Sequence, residues 1–312
     1  MGSLKFGTRT GQPSSQTVCA VVVTYFPDVA CVDRIRQALQ QVDRLVVVDN
    51  TPPDTSTLAL KAALQALPQV QLIENQANKG IAEALNQGLK FAASEGYEWL
   101  LTLDQDTQCH SEMVKALVRL STVCSPKPLV IGSNYFDPQA KRTKVPASEC
   151  DDDFLVQKTV ITSGSLIYVR QALSIGGFRA DYFIDQVDHE FCLRARANGY
   201  AVIISRKPLM THSVGRPGGV SLPFLGVLPN HPPVRKYYIA RNTVVTVAAY
   251  WRKEPAWCLR RLTRLFLGLI EMALLEEHRV RKVRAFAGGV FDGLRLRMGA
   301  CQRKSLLLKD QT

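Results

Sequence analysis

The first third of the chain alternates short apolar runs with amphipathic segments, and this pattern most constrains the fold. The run TVCAVVVTY at residues 17–25 is almost continuously apolar, which is typical of a parallel strand covered on both faces. Further strand-like runs occupy residues 45–48, 70–75 and 99–103. Regular alternation of strands and helices predicts a parallel, doubly wound α/β sheet, because each parallel crossover needs a helix.

Apolar residues that recur every three or four positions predict the helices between these strands. One such face lies between the first two strands, and another runs from Ile81 to Ala92 in a helix that Gly96 closes. Further along, the pattern predicts a helix at 113–124, a strand at 129–132, a charged loop at 141–153, a helix within 183–200, a strand at 201–205 and a loop at 206–211.

Length and composition allow one large domain with a C-terminal appendage. The chain has 312 residues, of which 46% are hydrophobic, so it can bury a full-sized core. Residues 1–16 are polar, predict a disordered tail, and lack the apolar segment of a secretory signal. The nearest approach to a membrane span, Leu262 to Leu275, is interrupted by Arg264 and Glu271, so no transmembrane helix is expected.

Cysteine spacing and charge indicate a compartment and a class of partner. The eight cysteines form no C-x-x-C pair and no metal-site spacing, as expected of reduced thiols in a cytoplasm. Lys and Arg number 17 against 21 Asp and Glu in residues 1–193, but 22 against 6 in residues 194–312. The basic half predicts an anionic partner. Anionic lipid or a phosphorylated substrate fits better than nucleic acid, because DNA-reading motifs and aromatic-interleaved basic patches are absent from the sequence.

Two aspartates one residue apart, Asp104 and Asp106, follow a predicted buried strand. In doubly wound sheets ligands bind beyond the carboxyl ends of the strands, so these ends should converge. Thr24, Tyr25 and Asp49 stand at two other strand ends. A pair of carboxylates at such a place can hold a hard divalent cation that keeps positions open for phosphate oxygens. A solvated turn that caps the next helix explains the pair equally well at this point.

A second acidic cluster opens the segment FIDQVDHEFCLRARANGY at residues 183–200. Asp185, Asp188 and Glu190 lie beside apolar residues, and like charges held together there can raise the pKa of a general base. The alternative is that the acids simply favour a helix N-terminus, where the helix dipole stabilises negative charge. His212, alone after a predicted loop, is either a structural histidine or a ligand.

Several of these segments occur in an order that resembles a known family. The matching stretches are VVVTYFPD, VVVDN, NKGIAEALNQG, LLTLDQD, FIDQVDHEFCLRA, MTHSVG and HPPVRKYYIARN, within residues 18–299. They are similar to the inverting family 2 glycosyltransferases of the A-type fold and, within that group, to bacterial rhamnosyltransferases that use dTDP-L-rhamnose. The resemblance implies a doubly wound, Rossmann-like mixed sheet flanked by helices, in a catalytic domain at residues 17–250.

The resemblance also implies donor-binding positions. These are Thr24, Tyr25, Asp49, Asn78, Lys79, Gly80, Asp104 and Gln105. The first three would hold the thymine and deoxyribose, and residues 78–80 would lie under the nucleotide at a helix N-terminus, which favours anions. Asp104 and Asp106 would hold Mg²⁺ or Mn²⁺ against the diphosphate, and His212 would complete the metal site.

The implied chemistry is a single displacement that inverts the anomeric centre. Asp188 occupies the place of the family's catalytic base, which takes the proton from the acceptor hydroxyl. Asp185 and Glu190 would contact the sugar or the acceptor. The implied reaction moves L-rhamnose to a hydroxyl of a lipid or lipid-linked saccharide, as in rhamnolipid or cell-surface polysaccharide synthesis. The alternatives are a transferase for another nucleotide sugar, a non-catalytic nucleotide-sugar-binding protein, and a basic membrane or nucleic-acid adaptor.

Residues 251–312 are predicted to form a helical segment with a basic amphipathic helix at 257–275. Its apolar face comprises Leu262, Leu265, Phe266, Leu269 and Ala273, and Arg260, Arg261 and Arg264 lie largely off that face. Such a helix can lie in the interface of an anionic membrane, or it can pack on the catalytic domain or on a second subunit of a homo-oligomer. The basic C-terminal half favours a peripheral enzyme on the inner face of the cytoplasmic membrane.

Overall fold

The computed structural model describes residues 17–53, 58–146, 153–212, 231–303 and 306, and the backbone alone at 221–222 and 226–227. The predicted tail at 1–16 lies outside the described residues, as does the part of the predicted charged loop at 147–152. Within the described part, one large mixed sheet is flanked by helices, and three long helices follow it along the chain.

The strands, in chain order, are β1 (Val18–Thr24), β2 (Arg44–Asp49), β3 (Val70–Glu74), β4 (Trp99–Asp104), β5 (Gln108–Cys109), β6 (Val130–Asp137), β7 (Arg142–Thr143), β8 (Phe154–Val156), β9 (Ser165–Tyr168), β10 (Val202–Thr211), β11 (Ser221–Leu222) and β12 (Gly226–Val227). The helices are α1 (Cys31–Leu39), α2 (Leu58–Gln65), α3 (Ile81–Ser94), α4 (Met113–Val123), α5 (Val169–Ser174), α6 (Val187–Ala197), α7 (Pro233–Tyr250), α8 (Pro255–Leu275) and α9 (Arg279–Leu294). A 3₁₀ turn at Ala180–Tyr182 precedes α6.

The large sheet runs in the order β3-β2-β1-β4-β9-β6-β10-β5. Its first four strands are parallel, as the strand and helix alternation predicts. Strand β9 is antiparallel to both β4 and β6, because it follows the irregular segment after β8 and not a crossover helix. The sheet is therefore mixed, which agrees with the fold that the resemblance implies.

Helices cover both faces of this sheet. Helices α1 and α4 bury their apolar residues against one face, and α3 and α6 bury theirs against the other. Strand β1 lies in the middle with Val18–Val22 almost fully buried, which explains its nearly continuous apolar run. The seven cysteines in the described part of the chain are all buried and unpaired.

Three elements differ from the predicted pattern. Strand β10 continues through residues 206–211, so the predicted loop there is wrong. Pairing with β6 and β5 on its two sides stabilises this second half, and register shifts around Pro208 accommodate the proline. Strand β6 likewise runs on to Asp137 instead of ending at residue 132. Helix α2 was missed altogether.

The C-terminal helices pack on one another and on the sheet domain. Helix α9 lies along α7 so closely that a Cβ on Gly289 would sit 2.3 Å from the carbonyl oxygen of Tyr237. The predicted apolar face of α8 is divided, because Leu262 packs into a small core with Trp257 whereas Phe266 is 62% exposed. Among the described helices, none combines the length and the continuous apolar surface that crossing a bilayer requires.

Candidate active site

Three potential metal ligands converge at the carboxyl ends of β4 and β10. The Nε2 atom of His212 lies 4.0 Å from Oδ2 of Asp104, and its Nδ1 lies 3.7 Å from Oδ1 of Asp106. One ligand atom from each residue lies within 4.8 Å of the others. Strand pairing brings them together, because β5 begins just after Asp106 and pairs antiparallel with the end of β10, with Gln108 opposite Thr211.

This donor set fits a divalent cation. Nδ1 of His212 is buried and has no hydrogen-bond partner among the described residues, a costly state that a coordinated cation relieves. Although 36% of the Asp104 side chain is accessible, burial in the cleft raises the pKa of Asp104 to about 6. His212 lowers this pKa, while the charges of Asp106 and Asp188 raise it further. A cluster of repelling carboxylates beside an unpartnered imidazole is the arrangement that a hard or borderline cation stabilises.

Asp49 lies at the end of β2 in a fixed orientation. The hydroxyls of Thr24 and Thr51 donate to its Oδ1 at 3.0 and 2.6 Å, and the backbone N–H of Thr51 donates to the same oxygen. Nζ of Lys61 lies 3.4 Å from the other oxygen, Oδ2. Because Oδ1 is fully occupied, Oδ2 is the oxygen left to accept a hydrogen bond from a ligand.

Gln105 ties the ends of β1 and β4 together. Its side-chain oxygen accepts the backbone N–H of Tyr25 at 2.8 Å, and its carbonyl accepts from Nε of Arg34 at 2.7 Å. The Tyr25 ring stays 47% exposed at the rim of the cleft. An exposed aromatic face held by its backbone at this edge is suited to stacking on a nucleotide base.

The turn at residues 78–80 differs from what the resemblance implies. Gly80 has φ of +84°, and a Cβ there would lie 2.5 Å from the carbonyl oxygen of Phe183, so only glycine fits. The N–H of Ile81, at the start of α3, donates to that same carbonyl at 2.8 Å. This amide therefore binds the protein's own backbone and is not free for phosphate. Asn78 stabilises the turn by accepting the N–H of Gly80 at 2.9 Å.

The segment before α6 has a strained backbone. Phe183, Asp185 and Gln186 have φ values of 66°, 63° and 63°, in the region that side chains other than glycine rarely adopt. Each such residue costs on the order of 1 kcal/mol and persists only where its surroundings enforce it. Strain of this kind is concentrated at functional sites, and here it immediately precedes Asp188 in the first turn of α6.

Helix α7 enforces this strained conformation. Nδ2 of Asn242 donates to the carbonyls of Tyr182, Ile184 and Asp185 at 2.9, 2.8 and 2.9 Å. Arg241, fully buried, donates to the carbonyl of Tyr182 at 3.1 Å. The segment HPPVRKYYIARN contains both side chains. Its sequence predicts no role for them, because nothing in their spacing shows which backbone carbonyls they contact.

Acidic groups at the start of α6 and at the end of β4 lie close enough to influence one another's pKa. Nε of Arg235 lies 3.2 and 3.3 Å from the two oxygens of Asp185. Burial raises the pKa of Asp185, and the Arg235 cation opposes this effect. The Asp188 carboxylate is close enough to raise the pKa of both Asp185 and Asp104, and Arg235 is close enough to lower both. Asp188 and the metal-ligand cluster therefore lie in the same electrostatic environment.

Glu190 lies apart from this cleft chemistry. It is 2% exposed, and its two oxygens each accept from Arg194 at 3.0 Å. The hydroxyl of Tyr250 also donates to Oε1, at 2.9 Å. The Tyr250 contact attaches α6 to α7. Because both oxygens of Glu190 have partners inside the protein, neither is available to the sugar or the acceptor.

Arg261, which lies largely off the predicted apolar face of α8, contacts the sheet domain in the structure. It points inward and donates from Nε to the side-chain oxygen of Gln186 at 3.2 Å. Burial lowers the pKa of Arg261, while the charges of Asp188 and Asp185 raise it. A helical-face argument missed this contact, because it assumes that a charged residue off the apolar face meets water.

A cavity of about 500 Å³ opens beside the metal-ligand cluster and is lined in part by Arg34, Gln108, Thr211, His212 and Asp106. A divalent-cation site, a rim aromatic and a fixed carboxylate thus meet where parallel strands end. In α/β sheets this is the usual place for a nucleotide ligand.

Comparison with known proteins agrees with this geometry. Residues 28–173 match the family model described as glycosyl transferase family 2. The dTDP-rhamnosyl transferase RfbF of Shigella flexneri is 27% identical over 297 residues, covering 90% of this chain and 96% of its own. A polyprenol monophosphomannose synthase of Mycolicibacterium smegmatis is 32% identical over 104 residues, covering 33% of this chain and 38% of its own.

Solved structures with the same fold include two glycosyltransferases of low sequence identity. Residues 1–349 of S. aureus TarS give a TM-score of 0.58 at 16% identity, covering 90% of this chain and 81% of that one. GalNAc-T7, crystallised with UDP, GalNAc and Mn²⁺, gives 0.58 at 11% identity, covering 89% of this chain and 55% of that one.

The mixed sheet flanked by helices is the A-type fold of glycosyltransferases. Residues 28–173 match the model of glycosyl transferase family 2, and the chain is a glycosyltransferase.

Proposed function

We propose that the enzyme transfers L-rhamnose from dTDP-L-rhamnose to a hydroxyl group of a lipid or lipid-linked saccharide, with inversion at the anomeric carbon. The observation that carries this proposal is the convergence of Asp104, Asp106 and His212, with Asp188 close enough for its charge to raise the pKa of Asp104. The choice of donor rests on the relative named dTDP-rhamnosyl transferase, which matches over nearly the whole of both chains.

The residues of this chain divide the reaction between two sides of the cleft. Asp188 accepts the proton of the acceptor hydroxyl as that oxygen attacks the anomeric carbon. Asp104, Asp106 and His212 would hold Mg²⁺ or Mn²⁺, which neutralises negative charge on the departing diphosphate. Arg235, between Asp185 and Asp104, adds a fixed positive charge on the same side.

Nucleotide recognition falls to the ends of β1 and β2. Oδ2 of Asp49 accepts the imide N–H of thymine, and the exposed ring of Tyr25 packs on the base. Thr24 and Gln105 act indirectly: Thr24 orients the Asp49 carboxylate, and Gln105 orients the Tyr25 backbone. Asn78, Lys79 and Gly80 shape the floor beneath the nucleotide, although the first amide of α3 is already occupied.

The enzyme works at an anionic membrane surface. Exposed apolar side chains run along α8, namely Leu259, Phe266, Leu267, Ile270, Leu274 and Leu275. Arg260 and Arg264 lie on the same helix, and the 119 residues from 194 onward hold 22 Lys and Arg against 6 Asp and Glu. Apolar side chains beside cations match the depth and charge of a lipid interface. This placement puts the catalytic domain at 17–250 on the cytoplasmic side, next to a lipid-borne acceptor.

A donor panel tests the proposed function. The purified chain is incubated with Mg²⁺ and, in turn, dTDP-rhamnose, UDP-glucose, UDP-N-acetylglucosamine and GDP-mannose, and release of the nucleoside diphosphate is followed. We expect slow dTDP release from dTDP-rhamnose alone and none in EDTA. Turnover of a UDP- or GDP-sugar would show that the donor is that nucleotide sugar and not dTDP-rhamnose. Tight binding of dTDP-rhamnose without any release of dTDP would indicate a non-catalytic binding protein.

A further inference from the structure

A second cavity, of about 510 Å³, lies between α6, α8 and the edge of the sheet at β8 and is strongly basic. It is bounded by residues of β8, α6 and α8 and by the loops next to β7 and β8. We call this cavity the cationic pocket. Its positively charged lining residues are Lys144, Lys158, Arg196, Arg260, Arg261 and Arg264. No Asp or Glu from the described part of the chain lines it.

Half of these cations already have a carboxylate partner. Lys158 and Arg196 both pair with Glu254, at 2.5 and 2.9 Å. Arg264 pairs with Glu271 at 3.2 Å. Because each of these three cations already has a carboxylate partner, we assign them to the wall of the pocket and not to ligand binding.

The other three cations are not balanced. Lys144, Arg260 and Arg261 form no ion pair with any carboxylate in the described residues, and Arg261 donates only to the amide oxygen of Gln186. Burial lowers the pKa of Arg261, which shows that its charge is held away from water at a cost. Three converging cations exceed what one carboxylate would balance, but they match a phosphate or diphosphate.

The pocket adjoins the proposed base. His189, which directly follows Asp188 on α6, lines the pocket, and its Nδ1 is buried with no hydrogen-bond partner among the described residues. Trp257 packs edge-on to His189 at 5.7 Å and forms part of the same wall. Arg261, which also lines the pocket, is close enough to Asp188 for the Asp188 charge to raise the pKa of Arg261, whereas Asp104, Asp106 and His212 do not line the pocket.

We propose that the cationic pocket binds a phosphoryl group of the acceptor, so that the acceptor is a phosphate- or diphosphate-linked molecule. This inference rests on the proposed function, since it takes Asp188 as the base that faces the acceptor. Lys144, Arg260 and Arg261 bind the phosphoryl oxygens, and His189 and Trp257 contact the portion of the acceptor nearest the reacting hydroxyl. The phosphoryl group can belong to a lipid carrier or to a water-soluble sugar phosphate.

Direct binding of inorganic pyrophosphate tests the pocket. Calorimetry is done on the full chain in EDTA, because without metal the acidic pair at 104 and 106 repels pyrophosphate. We expect wild-type binding and a loss of at least about tenfold in Lys144→Gln/Arg260→Gln, given the strength of charge-assisted hydrogen bonds. Arg252→Gln/Lys253→Gln removes the same charge from exposed positions after α7 and should change affinity by less than about twofold.

Absence of wild-type binding, or equal losses in the two double variants, would overturn the proposal. Farnesyl pyrophosphate and glucose 1-phosphate identify the source of the phosphoryl group: tighter binding of the first supports a lipid carrier, and tighter binding of the second supports a soluble acceptor. Displacement of pyrophosphate by phosphatidylglycerol vesicles would instead make this a headgroup site and reject acceptor binding.

Binding of dTDP with Mg²⁺ to the wild-type chain separates this inference from the proposed function. Binding of dTDP without pyrophosphate binding refutes the pocket alone. Binding of pyrophosphate without dTDP binding refutes the donor assignment while the anion site stands.

Discussion

The side-chain amide of Asn242 donates to the backbone carbonyl of Asp185 at 2.9 Å, and through this contact α7 sets the backbone that leads into Asp188. The same amide reaches two further carbonyls in the strained segment. A residue on the helix that follows the sheet domain therefore controls the geometry of the proposed base, although it lies more than fifty positions away in the chain.

Replacing Asn242 with Ala should damage both stability and turnover. The change removes the Asn242 donor from the carbonyls of Ile184 and Asp185, whereas the carbonyl of Tyr182 keeps Arg241, so we expect a loss of about 2 kcal/mol in the free energy of unfolding. Residual folded protein should show a lower kcat, because the turn before Asp188 is released. Urea unfolding followed by tryptophan fluorescence measures the first effect. Asn198→Ala, which removes one exposed hydrogen bond to Arg194, is the matched control.

Asp188→Asn should strongly reduce sugar transfer without weakening binding of the donor nucleotide. General bases contribute about 100- to 10,000-fold to rate, so kcat should fall within that range. The affinity for dTDP, measured by calorimetry with Mg²⁺, should stay within about twofold because the side chain keeps its shape. Glu112→Gln, which neutralises an exposed carboxylate paired with Lys115, should leave both quantities unchanged. Transfer by the Asp188 variant near the wild-type rate would assign the base elsewhere.

Removal of the imidazole at His212 should weaken metal binding. Loss of even an outer partner of a metal ligand costs about 10- to 100-fold in affinity, so His212→Ala should cost at least as much. Titration with Mn²⁺ in the presence of dTDP, read by electron paramagnetic resonance, measures this affinity. His110→Ala is the control, because His110 is an exposed histidine that contacts the carbonyl of Pro208 and the hydroxyl of Thr211 on β10 and is not one of the three converging ligands. Equal Mn²⁺ affinity in the two variants would show that His212 is not a metal ligand.

Stability should depend on pH through Glu254. Burial would raise the pKa of Glu254, but hydrogen bonds from Lys158 and Arg196 outweigh this and hold it below its ordinary value of 4.5. A depressed pKa in the folded state stabilises the protein above about pH 4.5, and this stabilisation disappears as pH falls through the folded pKa.

Glu254→Gln should therefore destabilise the protein by about 1–3 kcal/mol near neutral pH. The difference from wild type should shrink as the pH is lowered below 4.5. Thermal unfolding at a series of pH values measures both, and the surface variant Glu112→Gln should shift stability by less than about 0.5 kcal/mol throughout. A constant difference across the whole series would contradict the linkage to this carboxyl group.

Exposed apolar residues of α8 should govern membrane binding. Burying a large apolar side chain contributes about 1.5–3 kcal/mol, so Phe266→Ser/Leu274→Ser should lower the affinity for phosphatidylglycerol vesicles by tenfold or more. Sedimentation with vesicles measures the bound fraction. Val29→Ser/Val156→Ser changes exposed apolar residues of the sheet domain and should leave binding intact. Equal binding by both double variants would point to a protein partner or to simple solvation of this helix face.

Local pattern in the sequence determined the class of fold and the strand ends at which the chemistry lies. Continuous apolar runs at 18–24 and 99–103 indicate strands that are buried on both faces. Crossover helices make such strands parallel, so carboxylates that directly follow them lie at the same edge of the sheet. For that reason the sequence predicts the α/β fold correctly and marks Asp49, Asp104 and Asp106 as candidate ligand-binding residues.

Only the tertiary structure decided which distant groups meet these residues. The pairing of β5 with β10 delivers His212 to the aspartates, Asn242 and Arg241 hold the strained turn, and Arg261 turns inward to Gln186. The same packing brings the hydroxyl of Tyr250 on α7 onto Glu190 of α6. These contacts join residues up to a hundred positions apart, and a side chain's partner across such a distance depends on how whole layers pack, which periodicity along the chain does not encode.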